Sequence, residues 1–464
     1  MAMIRRLNNW LEDGFTTEQF TYRQLRSMFV TLLLDSFFIL FIGMLSTAMV
    51  SSTGETAMAA VNMVGALNSL VWLIFSALAT GGAIVVARSI GSGDLGGVRS
   101  AIGASISLCG LVGLVMAVLL YVFAEAIITA LYPVAEPLLL EYSIRYLRLL
   151  CISFFPYSVF NAIFSAFRSV GDAKSGLFLT IVVNTLHLVC SFVFINIMKM
   201  GMDGAGLSYI VARVVGMVVG LIWILKVHNE YHLQVRHMFH FPKDITTEMV
   251  KLGIPIASES ALFQGGMLLV QVYLAYLTTM ELAAHGVANS VLNLYMCAGN
   301  ALTTLTTTVC GKCYGAKQYD LARRYCKKIV AAGRGITLVS TAVFFALTPL
   351  LLKLYSPSEA AMPIIYTCLT IGAVGLPLIW ADGYIIPMAL RAAGDAVYTS
   401  MISVVGLAVG RIVVGYILTI VLGLGVPGVW IGLMLEWLLR AVCMRVRLNG
   451  DKWLHIKKAA EKLA

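Results

Sequence analysis

The sequence predicts an all-α integral membrane protein, with twelve transmembrane helices in two six-helix lobes related by a pseudo-two-fold axis along the membrane normal. Three observations predict it. Of 464 residues, 59% are hydrophobic and only 12% are charged, against roughly 25% charged in soluble domains. Apolar runs long enough to cross a bilayer, about 17–25 residues each, recur along the whole chain. The chain also repeats itself: residues 35–99 lie on residues 259–323 at a constant offset without a gap. Asp35 then falls on Glu259, Ala59-Ala60 on Ala283-Ala284, Arg88 on Lys312, Gly91 on Gly315 and Arg99 on Arg323. Further on, Arg168-Ser-Val-Gly171-Asp172 answers Arg391-Ala-Ala-Gly394-Asp395.

Taken in order, the apolar runs place spans at about 27–50, 57–84, 101–124, 142–164, 176–198, 204–227, 250–277, 283–308, 328–352, 362–388, 398–421 and 427–446. The segment 1–26 mixes Arg5, Arg6, Glu12 and Asp13 with scattered apolar residues, and no apolar core precedes a small-residue cleavage site. It reads as a cytoplasmic segment without a removable signal peptide. Trp10, Leu11 and Phe15 suit one face of a short interfacial helix. The N-lobe covers 27–227, a charged, histidine-bearing linker 228–249, the C-lobe 250–447 and a cytoplasmic tail 448–464. Basic residues recur in every second loop: Arg88 and Arg99, Arg168 and Lys174, Lys226 to Lys251, Lys312 to Lys328, and Arg440 to Lys462. The opposite loops hold little beyond Lys199 and Lys353. This positive-inside pattern places both termini in the cytoplasm and accounts for the net charge of +10 without a nucleic-acid partner. Six spans per repeat is an even number, so both copies share one orientation.

Charges inside the apolar runs are the sharpest functional signal, because each costs at least about 2.5–3.5 kcal/mol to insert. Asp35 lies roughly 12 Å along the first helix at 1.5 Å per residue, with Glu259 as its counterpart and Asp382 on the tenth span, without an obvious local cation. A buried carboxylate pairs with a cation, binds a metal ion, or takes up a proton. These three, with His187, are the candidate cation-coupling residues. His187 suits a proton partner for Asp35, a hydrogen-bonded core residue being the alternative. Arg213, Arg334 and Arg411 also fall within spans; Arg334 is expected to reach the cytoplasmic surface. Phe38, Trp72, Tyr157, Asn161, Asn184, Phe263, Gln264, Asn289, Asn293 and Tyr295 are the candidate substrate-cavity residues. Aromatic surfaces repack around varied apolar guests and attract organic cations, although ordinary packing is the alternative for each.

Other chemistries find no support. Gly91-Ser-Gly93 lacks the Gly-Lys-Ser/Thr ending of a nucleotide loop. Cys310-Gly-Lys-Cys313 has no second ligand pair, so no metal site is expected. No nucleophile–base set at useful spacing suggests an enzyme.

The loops carry a resemblance. Val86-Ala-Arg-Ser-Ile-Gly-Ser-Gly-Asp94, Phe167-Arg-Ser-Val-Gly-Asp-Ala-Lys174 with its copy Leu390-Arg-Ala-Ala-Gly-Asp395, Arg411, and Ala283-Ala-His-Gly-Val-Ala288 together resemble the multidrug and toxin extrusion (MATE) family of bacterial type. The resemblance spans nearly the whole chain. It implies a secondary antiporter that exports organic, cationic or amphipathic compounds across the bacterial inner membrane in exchange for H+ or Na+, as a monomer among membrane lipids and without a cofactor. A lipid or lipid-linked oligosaccharide flippase of the same wider superfamily is the alternative. The chain departs from the family at several places. Ser46 stands where members carry an aspartate, and His187 and Ser191 stand where an Asn and an Asp are usual. Phe263 and Gln264 occupy the place of a C-lobe glutamate. The coupling ion therefore does not transfer from the resemblance.

Overall fold

The computed structural model describes residues 19–51, 55–133, 136–227, 230–238, 242–274, 276–355 and 358–453. They form helix after helix, with no strand among the described residues. The long helices are α1 (Tyr22–Ser51), α2 (Glu55–Gly91), α3 (Leu95–Val122), α4 (Pro137–Val170), α5 (Ala173–Ile197), α6 (Gly201–Val227), α7 (Lys243–Leu274), α8 (Thr279–Gly315), α9 (Tyr319–Tyr355), α10 (Met362–Ala392), α11 (Ala396–Val421) and α12 (Val426–Asn449). Among the described residues, nine helices, α2–α6 and α9–α12, are long and apolar enough to cross a membrane. With α1, α7 and α8 they account for the twelve expected spans. α7 and α8 are the more polar ones, carrying Glu259, Gln264, Gln271, Asn289, Asn293 and Asn300. α7 begins at Lys243, inside the segment read as linker, whose remaining order includes a single helical turn at Val235–Met238.

Local chemistry sets the helix ends. The Asp94 side chain accepts from the Gly97 amide at 2.9 Å and caps α3. Asp172 accepts from the Ser175 amide at 3.1 Å and caps α5. Thr278 and Glu281 form a reciprocal capping box on α8, satisfying amides that a helix start leaves open.

The chain divides into two compact units, one of residues 34–257 and the other of 258–464 with 1–33. The boundaries fall inside α1 and α7 at equivalent points of the repeat, since 34 + 224 = 258. In the first unit, the early turns of α7 lie against α2. A Cβ on Gly81 would stand 2.7 Å from the Met249 carbonyl oxygen and 3.2 Å from the Gly253 nitrogen, so the approach requires glycine. Arg88 pairs with Glu248 there. In the second unit, Phe20 packs edge-on against Tyr325 at 5.8 Å, with the Lys312 ammonium 5.6 Å from the Phe20 ring.

The repeat persists in the backbone well beyond 35–99. Gly171 and Gly394 share the left-handed conformation, at φ 92° and 102°, after α4 and α10. Lys199 and Gly423 share a positive φ at 53° and 66°, and so do Gly201 and Gly425 at 57° and 61°. The offset is 223 at the first pair and 224 at the other two, so the second copy gains one residue between them. The extra residue lies in α11, which carries a π-helical segment at Leu407–Val414 where α5 is regular until Phe192. A π segment is how a helix absorbs a single inserted residue without changing register on either side.

Candidate functional site

Each unit buries ionised side chains, and the repeat places the principal pair in both. In the first unit Arg168, at the end of α4, donates to Asp35 of α1. Asp35 is 1% exposed. In the second unit Arg391, the repeat partner of Arg168, donates to Glu259 of α7, and Ser400 donates to the same oxygen at 2.8 Å. Buried ion pairs repay their desolvation only where geometry and added hydrogen bonds are good. Removing one partner costs roughly 3–5 kcal/mol, because it strands a charge.

The pair in the second unit belongs to a larger network. Arg440 of α12 stands 4.0 Å from Glu259 and 3.7 Å from Glu436, one turn earlier on its own helix. Arg411 of the π segment in α11 meets Glu436 at 2.7 Å. Glu436 is wholly buried, yet neither of its carboxylate oxygens takes an aligned hydrogen bond among the described residues. It is held by charge alone. Gly410 makes this approach possible, since a Cβ there would lie 2.7 Å from the Glu436 Cα. Tyr384 stacks under the Arg440 guanidinium at 4.1 Å.

Asp382 on α10 is 2% exposed and is bridged by two arginines, Arg334 of α9 at 2.5 Å and Arg445 of α12 at 2.9 Å. These three side chains and Lys327 line a cavity of about 370 Å³ with Asn449 and Leu448.

In the first unit, a second buried group lies apart from Asp35. Arg213 of α6 donates to the Ser153 hydroxyl at 2.7 Å. Its guanidinium lies over the rings of Tyr157, Tyr209 and Trp72 at 4.5, 4.7 and 4.9 Å. Each such contact is worth about 0.5–2 kcal/mol, according to how well water is excluded. The His187 ring lies 4.2 Å from that of Tyr209, and its Nδ1 is 3.3 Å from the Ser208 hydroxyl.

These positions correct several expectations. Asp35 faces Arg168, not His187, which sits in the Arg213 group. Asp382 is not without a cation: Arg334, whose side chain is 36% exposed, pairs with it. Tyr295 is fully buried, shares its hydroxyl with Thr348 at 3.0 Å and stacks on Phe344, so it packs the core of its unit. Asn184 donates back to the Thr180 carbonyl of its own helix at 2.9 Å. The other expected cavity residues fall into small groups. The Trp72 and Tyr157 rings meet tilted, 5.3 Å apart, with Asn161 one turn beyond Tyr157. Phe38 is half-buried one turn after Asp35. Phe263 lies 5.6 Å from the Arg411 guanidinium with half-buried Gln264 beside it. Asn289 and Asn293 are exposed, one turn apart on α8. The Ser46 side chain, together with His228 and His240, lies outside the described residues. Cys310 and Cys313 are buried thiols. The sequence reading missed Glu436 and Arg440, although an ionised i, i+4 pair inside an apolar run is a visible signal. It also treated Arg168 and Arg391 as topology markers only.

A two-unit membrane protein of twelve long helices with arginine–carboxylate pairs buried in each unit fits a membrane transporter. Comparison with known proteins narrows the class. The MatE family model matches twice, over residues 32–193 and 255–417, and the chain belongs to that family. It is 24% identical over 424 residues to the uncharacterized transporter YisQ of Bacillus subtilis, covering 89% of this chain and 91% of that one. It is 24% identical over 434 residues to the probable multidrug resistance protein NorM of Thermotoga maritima, covering 89% and 88%. Among solved structures, the fold matches a MOP superfamily transporter from Pyrococcus furiosus, a protein described as having a binding pocket of reverse polarity. The TM-score is 0.84, with 19% identity over 94% of this chain and 96% of that one.

Proposed function

We propose that this protein is a secondary active exporter of amphipathic organic compounds, driven by exchange for protons entering the cell. The reading places it in the bacterial inner membrane with both termini in the cytoplasm, following the loop charges, and has it work by alternating access between its two halves. Family membership and the NorM relatives support efflux of organic compounds. The observation that carries the coupling is the recurrence of one pair in both repeats, Asp35–Arg168 and Glu259–Arg391. A proton taken up in place of the guanidinium cancels the carboxylate's charge and releases the arginine to another partner, against the guanidinium's own preference for the ionised form, so the exchange couples proton entry to a change of pairing. A sodium ion needs several oxygen ligands gathered round it, as hard cations do, and a guanidinium in contact with the carboxylate opposes it. The test is substrate-triggered proton flux. Proteoliposomes carrying an entrapped pH-sensitive dye are given an amphipathic organic dye as substrate. The expected result is proton movement opposite to the dye, abolished in the Glu259→Gln variant. Dye transport without any proton movement would contradict the reading.

A further inference from the structure

Among the described residues the buried arginines are Arg88, Arg213, Arg391 and Arg440, and all but Arg213 face a carboxylate. Arg88 faces Glu248, Arg168 faces Asp35, Arg391 faces Glu259, Arg411 and Arg440 face Glu436, and Arg334 and Arg445 face Asp382. Arg213 is 4% exposed, and no described carboxylate lies within ion-pair distance of it. Its neighbours are the Ser153 hydroxyl and the rings of Trp72, Tyr157 and Tyr209. Of the five donors a guanidinium offers, one is spent on Ser153. The three rings around it lessen the cost of burying the charge but accept no conventional hydrogen bond.

A second observation concerns the same faces of α2 and α4. The Trp72 indole N–H and the Asn161 amide nitrogen are buried donors without a partner among the described residues, and the Asn68 amide oxygen is likewise unpaired. Asn68 lies one turn before Trp72, and Asn161 one turn after Tyr157. Buried polar groups are nearly always satisfied, and a group of orphans marks a place where something polar belongs. Phe75 and Phe154 continue the aromatic wall, with Phe75 at 6.2 Å from Tyr157 and 6.1 Å from Phe154. A positive fork, spare N–H donors and an apolar aromatic wall are complementary to an organic acid.

We infer that the first unit holds an anion site at Arg213, and that it takes the carboxylate of an amphipathic organic anion whose apolar body lies along the Trp72–Tyr157–Phe75 wall. The guanidinium supplies the two parallel N–H bonds a carboxylate accepts. As a site for cargo the inference rests on the exporter reading; as a binding site it does not. It directs the substrate class toward organic acids, opposite in sign to the cations that the family resemblance implies.

The test uses the purified full chain in nanodiscs and titrates three probes: 2-naphthoate, 2-naphthylmethylammonium and inorganic sulfate. On the unaltered protein, naphthoate is expected to bind at least about tenfold more tightly than the ammonium, a difference within reach of one charged contact. Sulfate is expected to bind more weakly than naphthoate. Arg213→Gln should weaken naphthoate by about tenfold or more and leave the ammonium within about twofold, while Arg213→Lys, which keeps the charge but loses the fork, should fall between. Equal or reversed affinities for the two naphthalene probes on the unaltered protein overturn the site, and this arm decides the matter if Arg213→Gln does not fold. Undiminished naphthoate binding in a folded Arg213→Gln protein overturns it too, and sulfate binding tighter than naphthoate overturns the organic part. Naphthoate binding without vesicle transport of any organic compound would instead count against the exporter reading and leave the site standing.

Discussion

Asp35 and Glu259 owe their importance to where an arginine meets them. Each sits on the first helix of its repeat, and each is met by the arginine that ends the fourth helix, Arg168 or Arg391. Neutralising Asp35 to Asn or Glu259 to Gln keeps side-chain volume and removes the charge the arginine balances. Both variants are expected to insert and to lose most coupled export, read as initial transport rate at equal expression. Full transport in both would assign the pairs to structure. Stability gives a second readout. Asp35→Ala strands Arg168 and should cost about 3–5 kcal/mol, while the double change Asp35→Ala with Arg168→Gln should recover much of it. Thermal melts in detergent of the two single variants and the double one measure this cycle, and additive losses would deny the coupling. At this scale the sequence was half legible. A carboxylate in an apolar run announces itself by its insertion cost, so Asp35, Glu259 and Asp382 stood out. Their partners did not, because a pair such as Asp35–Arg168 spans 133 positions of the chain and loop arginines already have a sufficient reason in topology. Pairing His187 with Asp35 failed for the same reason: titratability is local, contact is not.

Between the copies, the differences lie in single residues that the backbone must accommodate. Lys317 occupies the position of Gly93 in the repeat, and both are left-handed, at φ 58° and 74°. That conformation costs an L residue about 1–2 kcal/mol and a glycine nothing. Lys317→Gly should therefore stabilise the protein by about 1 kcal/mol, and Gly93→Ala should destabilise it by a similar amount; paired thermal melts decide, and no difference between them would deny the strain. The π segment Leu407–Val414 gives a sharper prediction. Deleting Val409 removes one residue from that segment, so α11 should become regular up to its final π turn at Ile417–Val421, as α5 is up to Phe192, and the protein should still fold, as judged by a monodisperse elution profile and a cooperative melt. Deleting Val182 from the regular part of α5 rotates everything beyond it and should abolish folded protein. Equal tolerance of the two deletions would refute the inserted-residue account. Helix number and order were legible from apolar runs, and the tight turns from glycine followed by a polar residue at Gly171-Asp172 and Gly394-Asp395. The π segment was not, because one extra residue in an apolar helix changes no composition or charge signal. The early start of α7 at Lys243 was hidden by its charged first turns.

At the scale of the whole molecule three features meet: two copies of a six-helix unit, a carboxylate–arginine pair repeated in each, and membership of the MatE family. Duplication explains why the structural units change over inside α1 and α7 at matching positions, and why one pair recurs with its arginine at the same turn. It leaves the second unit with the denser charge network, Glu259, Glu436, Arg391, Arg411 and Arg440, and the first with Arg213 in its aromatic cage. The central claim is that proton movement through these pairs drives export. The measurement is efflux of an amphipathic organic compound from proteoliposomes under two separate gradients. A pH gradient imposed without sodium is expected to drive efflux, and a sodium gradient imposed without a pH difference is expected to drive none. Efflux driven by sodium alone, or by neither gradient, would contradict it.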